Sequence, residues 1–250
     1  MGTTITPAKG YRTGRRAGRP LAARHQLAVI ALVYGVYLVV RALASVGGRE
    51  RAADNARSVL GAERSLGIAW EARFQDSFLG HSWLVDTANA FYLAAHWPLI
   101  VVVAVWLFLR IPDGFRLLRD AMYVSAAVSF IVFAIFPVAP PRLAMPDRSD
   151  TVLERLRGAH DVLQPAQLMN EFAAMPSLHL GWNLLLGFVI VRFARTRWLR
   201  IAGGAIPVLM AIAVVATANH FVLDVVGGVV VGLAGWWAAQ ALARRAGRPV

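Results

Sequence analysis

The feature of this chain that most constrains its fold is a series of apolar segments on the scale of a lipid bilayer. A helix needs about 20 largely apolar residues to cross the hydrocarbon core. Segments that approach or exceed this length lie at 27–46, 83–109, 121–136, 178–191, 201–217 and 221–242. Hydrophobic residues make up 58% of the chain, against about 45–50% in soluble domains. We therefore expect a multi-pass membrane protein.

A segment of mixed charge separates the first two apolar segments. Its residues recur at spacings compatible with one helix, namely Glu63, Leu66, Ile68, Glu71 and Gln75. Such a pattern is typical of an amphipathic helix lying in the membrane interface. The expected fold class is all-α: an integral membrane bundle of about six transmembrane helices, with an interfacial amphipathic helix between the first two.

The distribution of basic residues predicts the orientation of the bundle. The N-terminal tail, the turns after the second and fourth apolar segments and the C-terminus are basic, whereas 47–82 and 137–174 hold most of the carboxylates. Because basic loops stay cytoplasmic, we expect both acidic loops to be extracytoplasmic. Ala42-Leu43-Ala44 faintly resembles a signal-peptidase site, but the apolar run is long for a signal peptide, so cleavage stays open.

Composition excludes several classes of function. The net charge of +12 would suit nucleic acid, but the basic residues flank apolar segments and form no stripe with interleaved aromatics. The chain has no cysteine, which excludes disulfides, thiolate metal sites and cysteine nucleophiles. We expect membrane lipid as the surroundings and no nucleic-acid partner.

Two of the apolar segments begin with polar residues. Ser177 and His179 open one, and His220 and Asp224 open the other, with the second histidine 41 residues after the first. Polar groups at membrane depth are costly and usually face an interior or a cavity. Since one crossing takes about 20 residues, two crossings return the chain to the same face. His179 and His220 should therefore lie at the same level of the membrane.

These residues together can perform phosphoryl transfer. Asp224 can hold the His220 imidazole in one tautomer and stabilise its cation, so that His220 serves as nucleophile or base. His179 can protonate a leaving oxygen and then deprotonate an incoming hydroxyl. Ser177, the free N–H groups of that helix start and the Arg142 guanidinium suit phosphate oxygens.

Further polar residues are candidates for contacts to a head group or an acceptor. Asn89, Tyr92 and His96 share one helical face, which we expect to look into the bundle. The full set of candidates is Asn89, Tyr92, His96, Arg119, Trp182, Asn219, Glu63, Glu71 and Gln75. Plain helix packing is the alternative for Asn89, Tyr92, His96 and Arg119. For Glu63, Glu71 and Gln75 the polar face of a surface helix is slightly favoured.

A metal site is the rival chemistry. Two histidines and an aspartate could bind zinc or iron, and each residue could instead have a bland role, such as a snorkelling Arg142. An anion site at Arg142 argues against a cation at the same place. We therefore expect a site with no metal and no cofactor.

Pro176-Ser177-x-His179 and His220-x-x-x-Asp224 resemble the second and third signature blocks of the type 2 phosphatidic acid phosphatase superfamily. Its members are membrane enzymes with a six-helix core. The resemblance implies that His220 attacks phosphorus to give a phosphohistidine and that Asp224 orients it. It further implies that His179 is the acid and base, and that Ser177 binds phosphate.

Two phosphate-binding cations of the ordinary phosphatases are missing. If Arg142 matches the arginine of the first block, Ile135 stands where the block has lysine, and Ala213-Val214 stand where the third block has Ser-Arg. The chain is more similar to the branch containing fungal inositol phosphorylceramide synthase and its actinobacterial relatives. The shared features are Pro140-Pro141-Arg142, Met175-Pro176-Ser177-Leu178-His179 with Trp182, Asn219-His220, and the Glu63, Leu66-Gly67-Ile68, Glu71 and Gln75 pattern.

The resemblance implies a metal-independent lipid phosphotransferase that moves a phosphorylated head group from a phospholipid to an alcohol such as inositol. A lipid phosphate phosphatase, with water as acceptor, is the alternative. A transporter or scaffold with a degenerate phosphatase fold is the third possibility. The polar residues gather at one face and do not line a pathway through the membrane, which argues against a transporter.

We divide the chain into a basic disordered cytoplasmic tail at 1–24, a membrane catalytic domain at 25–243 and a basic cytoplasmic C-terminus at 244–250.

Overall fold

The computed structural model describes residues 23–45, 48–145, 147–152, 154–155 and 170–248. Nearly all of the predicted tail at 1–24 therefore lies outside the described residues, as does 156–169 of the long acidic loop. Over the part of the chain that is described, the fold is helical and contains no strand. The predicted all-α class is confirmed.

The helices are numbered here in chain order. They are α1 Ala23–Ser45, α2 Gly48–Leu66, α3 Glu71–Leu79, α4 Ser82–Ala94, α5 Trp97–Arg110, α6 Pro112–Ile135, α7 Pro141–Ala144, α8 Leu178–Phe193, α9 Arg197–Ala216 and α10 Val222–Arg245.

Four helices in the described ranges, α1, α6, α9 and α10, are long and apolar enough to cross a membrane. The predicted span at 83–109 is not one straight helix, because α4 and α5 meet at an angle of 43°. Pro98 lies in the first turn of α5, and a proline cannot donate the backbone bond that would continue α4. Helix α8 has 16 residues and is shorter than a full crossing. Four or five candidate spans are thus supported, and six remain a prediction.

Small residues let α8 pack closely against both α9 and α10. A Cβ atom at Gly181 would lie 2.9 Å from the carbonyl oxygen of Gly228, and one at Gly187 would lie 2.6 Å from that of Gly203. Backbones that approach this closely leave room only for glycine. Glycine at positions 181 and 187 therefore permits the close approach of α8 to α10 and α9.

The segment between the first two spans forms two helices, α2 and α3, rather than one. They are separated by a turn at Gly67, whose φ of 72° is a conformation that glycine adopts most readily. The exposed side carries Leu66 and Trp70, whereas Glu63 and Glu71 are 0% and 1% exposed. The surface-helix interpretation of these acidic residues is therefore wrong.

We expect Gly187→Ala to destabilise the fold, because the added methyl group meets the backbone of α9 and overpacking costs about 1–3 kcal/mol. Gly204→Ala is the matched control, since nothing lies within 4 Å of a Cβ atom there. Thermal unfolding in detergent should show a lower midpoint for Gly187→Ala alone. Equal midpoints for the two variants would contradict the close α8–α9 packing.

Candidate active site

Four helix ends meet at one end of the bundle and form the site. The carboxyl ends of α6 and α9 lie beside the amino ends of α8 and α10. Backbone hydrogen bonds join them: Ser177 N donates to Asp224 O at 2.9 Å, and Arg142 N donates to Ala218 O at 3.0 Å. This network brings together three stretches that the sequence singles out.

The two histidines lie side by side. The ring centroids of His179 and His220 are 5.6 Å apart, and His220 Nε2 is 3.5 Å from His179 Nδ1. Both residues line the same cavity. The prediction that these histidines lie at one level of the membrane and within reach of each other is confirmed.

The tautomer of His220 is determined by a backbone carbonyl. His220 Nδ1 lies 2.8 Å from the oxygen of Ala174, which can only accept a hydrogen bond, so Nδ1 carries the proton and Nε2 keeps its lone pair. Asp224 Oδ2 is 3.5 Å from the same nitrogen and accepts the N–H of Phe221 at 2.8 Å. Asp224 therefore faces Nδ1 as expected, but the nearer partner is the Ala174 carbonyl, which no side-chain pattern reveals.

Arg142 is held beside the histidines by two side chains. Its Nη1 donates to Asn219 Oδ1 at 2.5 Å and its Nε to Asp150 Oδ2 at 2.9 Å. Asn219 in turn donates to the hydroxyl of Thr217 at 2.7 Å, which turns its amide oxygen toward Arg142. The guanidinium lines the cavity with His220. Arg142 is thus a fixed cation at the site and does not snorkel outward.

Ser177 has a structural partner in this arrangement. Its hydroxyl accepts the N–H of Leu180 at 3.4 Å as the N-cap of α8, and the residue is 0% exposed. It is not among the residues that line the cavity. The predicted helix start is confirmed, and phosphate binding by Ser177 stays a prediction.

Aromatic rings surround His179 on its cavity side. Its ring stacks on Tyr92 with centroids 4.7 Å apart and lies 4.1 Å from the ring of His96. His96 is parallel to Trp182, with 10° between the planes, and Trp182 Nε1 donates to Ser125 Oγ at 3.2 Å. Tyr92, His96 and Trp182 therefore belong to the site, where they hold the imidazole of His179 in place.

Two sequence candidates do not contact the histidines. Asn89 exchanges hydrogen bonds with Thr151, at 2.8 Å to its carbonyl oxygen and 2.9 Å from its hydroxyl, so it ties α4 to the acidic loop. Arg119 lines the other end of the same cavity, about 24 Å along α6 from the site end at about 1.5 Å per residue, and donates to Asp120 and to Gln26. For Asn89 the packing interpretation is the correct one.

Glu63, Glu71 and Gln75 lie behind the site and do not line its cavity. Glu63 accepts the N–H of Leu223 at 2.7 Å and Glu71 that of Val222 at 2.9 Å. Gln75 donates to the carbonyl oxygen of Ser149 at 3.0 Å. They support the backbone that carries the site.

The cavity continues from the histidines along the bundle. Its volume is about 920 Å³, and residues of α5 from Trp97 to Leu109 and of α6 from Phe115 to Phe133 line it. This α6 stretch is about 27 Å long at 1.5 Å per residue, and its lining is mostly apolar.

As for the rival metal chemistry, no group of three or more His, Cys, Asp or Glu in the described ranges could hold an ion.

An apolar cavity headed by paired histidines and an arginine in a membrane bundle points to a membrane enzyme of the phosphatase type. The family model described as the PAP2 superfamily matches residues 57–238, which is more than half of the chain. The chain therefore belongs to the PAP2 superfamily. Searches of curated proteins and of solved structures gave no match.

We expect Asp224→Asn to lower kcat for release of phosphate from a lipid phosphate by about 10- to 100-fold. A hydrogen bond to a charged group is worth about 1.5–3 kcal/mol, which corresponds to that range, while the Ala174 carbonyl keeps the His220 tautomer. Loss as complete as in His220→Ala would show that the carboxylate, and not the carbonyl, holds the ring.

Proposed function

We propose that the chain is a metal-independent lipid phosphotransferase that works through a phosphohistidine on His220 and transfers a phosphorylated head group to an alcohol such as inositol. The observation that carries this proposal is the 3.5 Å approach of His220 Nε2 to His179 Nδ1 at the head of an apolar cavity. Membership of the PAP2 superfamily supports a phosphatase or phosphotransferase activity.

In the first step, the lone pair of His220 Nε2 attacks the phosphorus of the lipid. The N–P bond forms while the bond from phosphorus to the leaving oxygen breaks. His179 enters this step as the imidazolium cation, gives its Nδ1 proton to that oxygen and becomes neutral. The ring of His220 becomes cationic, and the Ala174 carbonyl and the Asp224 carboxylate stabilise it because both face Nδ1.

In the second step, His179 Nδ1 accepts the proton of the incoming hydroxyl. The hydroxyl oxygen attacks phosphorus, the N–P bond breaks, and His220 regains its lone pair. An alcohol acceptor gives a new phosphodiester or phosphomonoester, whereas water gives hydrolysis. The two reactions therefore share every residue of the site and differ only in the acceptor.

The position of the phosphate follows from the spacing of the rings. A gap of 3.5 Å between two nitrogens is too small to hold a tetrahedral phosphate, so the group must approach both nitrogens from the cavity side. Arg142 lines that side and offers a planar guanidinium to the non-bridging oxygens. Asn219 and Asp150 keep the guanidinium in place while charge develops on these oxygens.

The cavity supports a lipid donor. Its apolar length of about 27 Å is close to the hydrocarbon thickness of a bilayer, about 30 Å, so acyl chains can lie along α5 and α6. Helices α1 and α5 both line the cavity and each pack on α6. We place lateral access for the lipid between α1 and α5.

The charge pattern supports an active site on the extracytoplasmic face of the cell membrane. The turn between α8 and α9 and the helix ends beside it carry Arg192, Arg195, Arg197 and Arg200. This turn lies at the end of α8 remote from His179. Basic turns stay in the cytoplasm, which puts the histidine end outside.

Transfer is preferred over simple hydrolysis of phosphatidate because the extra cations of ordinary phosphatases have no counterpart here. Ile135, at the position of the missing lysine, is 64% exposed, and Val214, at that of the missing arginine, is fully buried in the core. Neither lines the cavity. Arg142 is then the cation that the site offers to phosphate.

We expect purified protein given a head-group-labelled phospholipid to pass the labelled phosphorylated head group to inositol, with and without EDTA. His220→Ala should lose at least about 1,000-fold in rate, the scale on which removal of a nucleophile acts. His81→Ala is the matched control, because His81 is exposed and lies before α4. Full turnover by His220→Ala would show that His220 is not the nucleophile. Release of phosphate without an inositol product would show that water is the acceptor and that the reaction is hydrolysis.

We expect Ala104→Trp to fill the cavity and raise KM for long-chain donors more than for a short-chain water-soluble analogue. Ala104 lines the cavity at mid-height of α5, whereas Val102 is exposed and does not line it. Val102→Trp should therefore leave both KM values unchanged. An equal effect of Ala104→Trp on both donors would contradict a lipid chain in this cavity.

A further inference from the structure

The start of α10 is surrounded by three buried carboxyl groups. Glu63 on α2 accepts the N–H of Leu223 at 2.7 Å, Glu71 on α3 accepts that of Val222 at 2.9 Å, and Asp224 accepts that of Phe221 at 2.8 Å. The first N–H groups of a helix have no partner within it. Side chains from α2 and α3, which are distant in sequence, thus accept hydrogen bonds from the first N–H groups of α10, the helix that follows His220.

Three negative charges in one buried place would repel each other. Glu63 faces Glu71 from α3 and Asp224 from α10, and His220 lies beside Asp224. On α7, which packs on α2, Arg142 is engaged by Asp150 and Asn219. The positive end of the helix dipole, about half a charge, is too small to balance three carboxylates.

One shared proton resolves the repulsion. Glu63 and Glu71 accept from the N–H groups of two successive residues, Leu223 and Val222, so their carboxyl groups lie side by side. Two carboxyl groups can form a hydrogen bond only when one of them is protonated. Glu63 Oε2 is buried and has no donor partner, which is the expected situation for an oxygen that itself carries the proton. Burial, and next the hydrogen bond to Glu71, raises the pKa of Glu63 to about 8.

We propose that Glu63 and Glu71 form a one-proton carboxyl pair that clamps the first turn of α10 and thereby positions the His220 ring. The catalytic part of this inference rests on the proposed function, whereas the structural part stands without it. Both residues are positioning residues, because they touch the backbone of α10 and do not line the cavity.

Helix α3 also supports the opposite side of the site. Gln75 on α3 donates to the carbonyl oxygen of Ser149, and the next residue, Asp150, holds the guanidinium of Arg142. Arg148 adds an ion pair to Asp76 at 2.7 Å. The segment outside the candidate spans therefore holds the nucleophile through the carboxyl pair and the phosphate-binding cation through Gln75.

The pair makes the site sensitive to alkaline pH. The pKa of Glu63 in the folded protein, about 8, lies above its ordinary value of 4.5. The folded protein therefore binds more protons than the unfolded chain in this window, and the contribution to stability is complete below pH 4.5 and lost as pH rises through about 8. Above that pH the pair carries two charges beside Asp224, which should loosen the start of α10.

The test compares the wild-type protein with Glu63→Gln, Glu63→Ala and Glu50→Gln, in unfolding midpoint and in kcat and KM across pH 8. Glutamine is a permanent stand-in for the protonated acid, since its amide donates to Glu71 while its oxygen accepts from Leu223. Glu63→Gln should keep kcat near pH 7 within about twofold and remove the alkaline fall in both midpoint and kcat. Glu63→Ala should lose kcat about tenfold with KM little changed, the loss of about 1.4 kcal/mol that one tenfold step represents.

The control variant shows whether any change of charge on α2 has the same effect. Glu50 is exposed in the first turn of α2, and Glu50→Gln should keep the wild-type pH profile. An alkaline fall that persists in Glu63→Gln, or is absent from the wild-type protein, would overturn the pair, as would wild-type kcat in Glu63→Ala. If neither the wild-type protein nor any variant has a turnover that His220→Ala abolishes, the proposed function fails. The unfolding midpoints across pH 8 then still decide whether the carboxyl pair exists.

Discussion

The site depends on the hydrogen bond between His220 Nδ1 and the carbonyl oxygen of Ala174. This bond puts the proton on Nδ1 and leaves the lone pair of Nε2 facing His179 and the cavity. It also joins the long loop before α8 to the turn before α10. The same residue, Ala174, donates its N–H to the oxygen of Val138, so the chain after α6 is tied into the same network. The backbone of Ala174 thus fixes both the tautomer of His220 and the place of its ring in the bundle.

Several charged side chains are buried close to this hydrogen bond, and each of them has a polar partner. Arg142 is paired with Asp150 and with the amide of Asn219. Each carboxyl group at the start of α10 accepts one backbone N–H, and in the proposed pair Glu63 and Glu71 also share one proton. Buried charges are tolerated when they are paired in this way. The apolar cavity then meets a polar head whose groups are already oriented, which is the condition for electrostatic stabilisation of a transition state.

Much of this arrangement is predictable from the sequence, and the reasons for the rest are physical. The spacing of His179 and His220 predicts their meeting, because two crossings bring the chain back to one face. The partners of His220 and Glu63 are a backbone carbonyl and a backbone N–H, which leave no side-chain pattern. Glu63 and Glu71 show the spacing of a surface helix, and only the approach of α10, 151 residues beyond Glu71, makes that face an interior one. Pro98 indicates the bend before α5, but the continuous hydropathy of 83–109 favours a single straight span and so hides the bend.

The most direct test of the phosphohistidine is to trap it. The protein is mixed with a labelled phospholipid without an acceptor, quenched at alkaline pH, digested and analysed by mass spectrometry. The expected result is the phosphorylated head group of the donor, or phosphate when the donor is a lipid phosphomonoester, on an imidazole nitrogen of His220. This adduct should disappear when inositol is added before the quench. Phosphate on another residue, or turnover that never labels His220, would contradict the central claim.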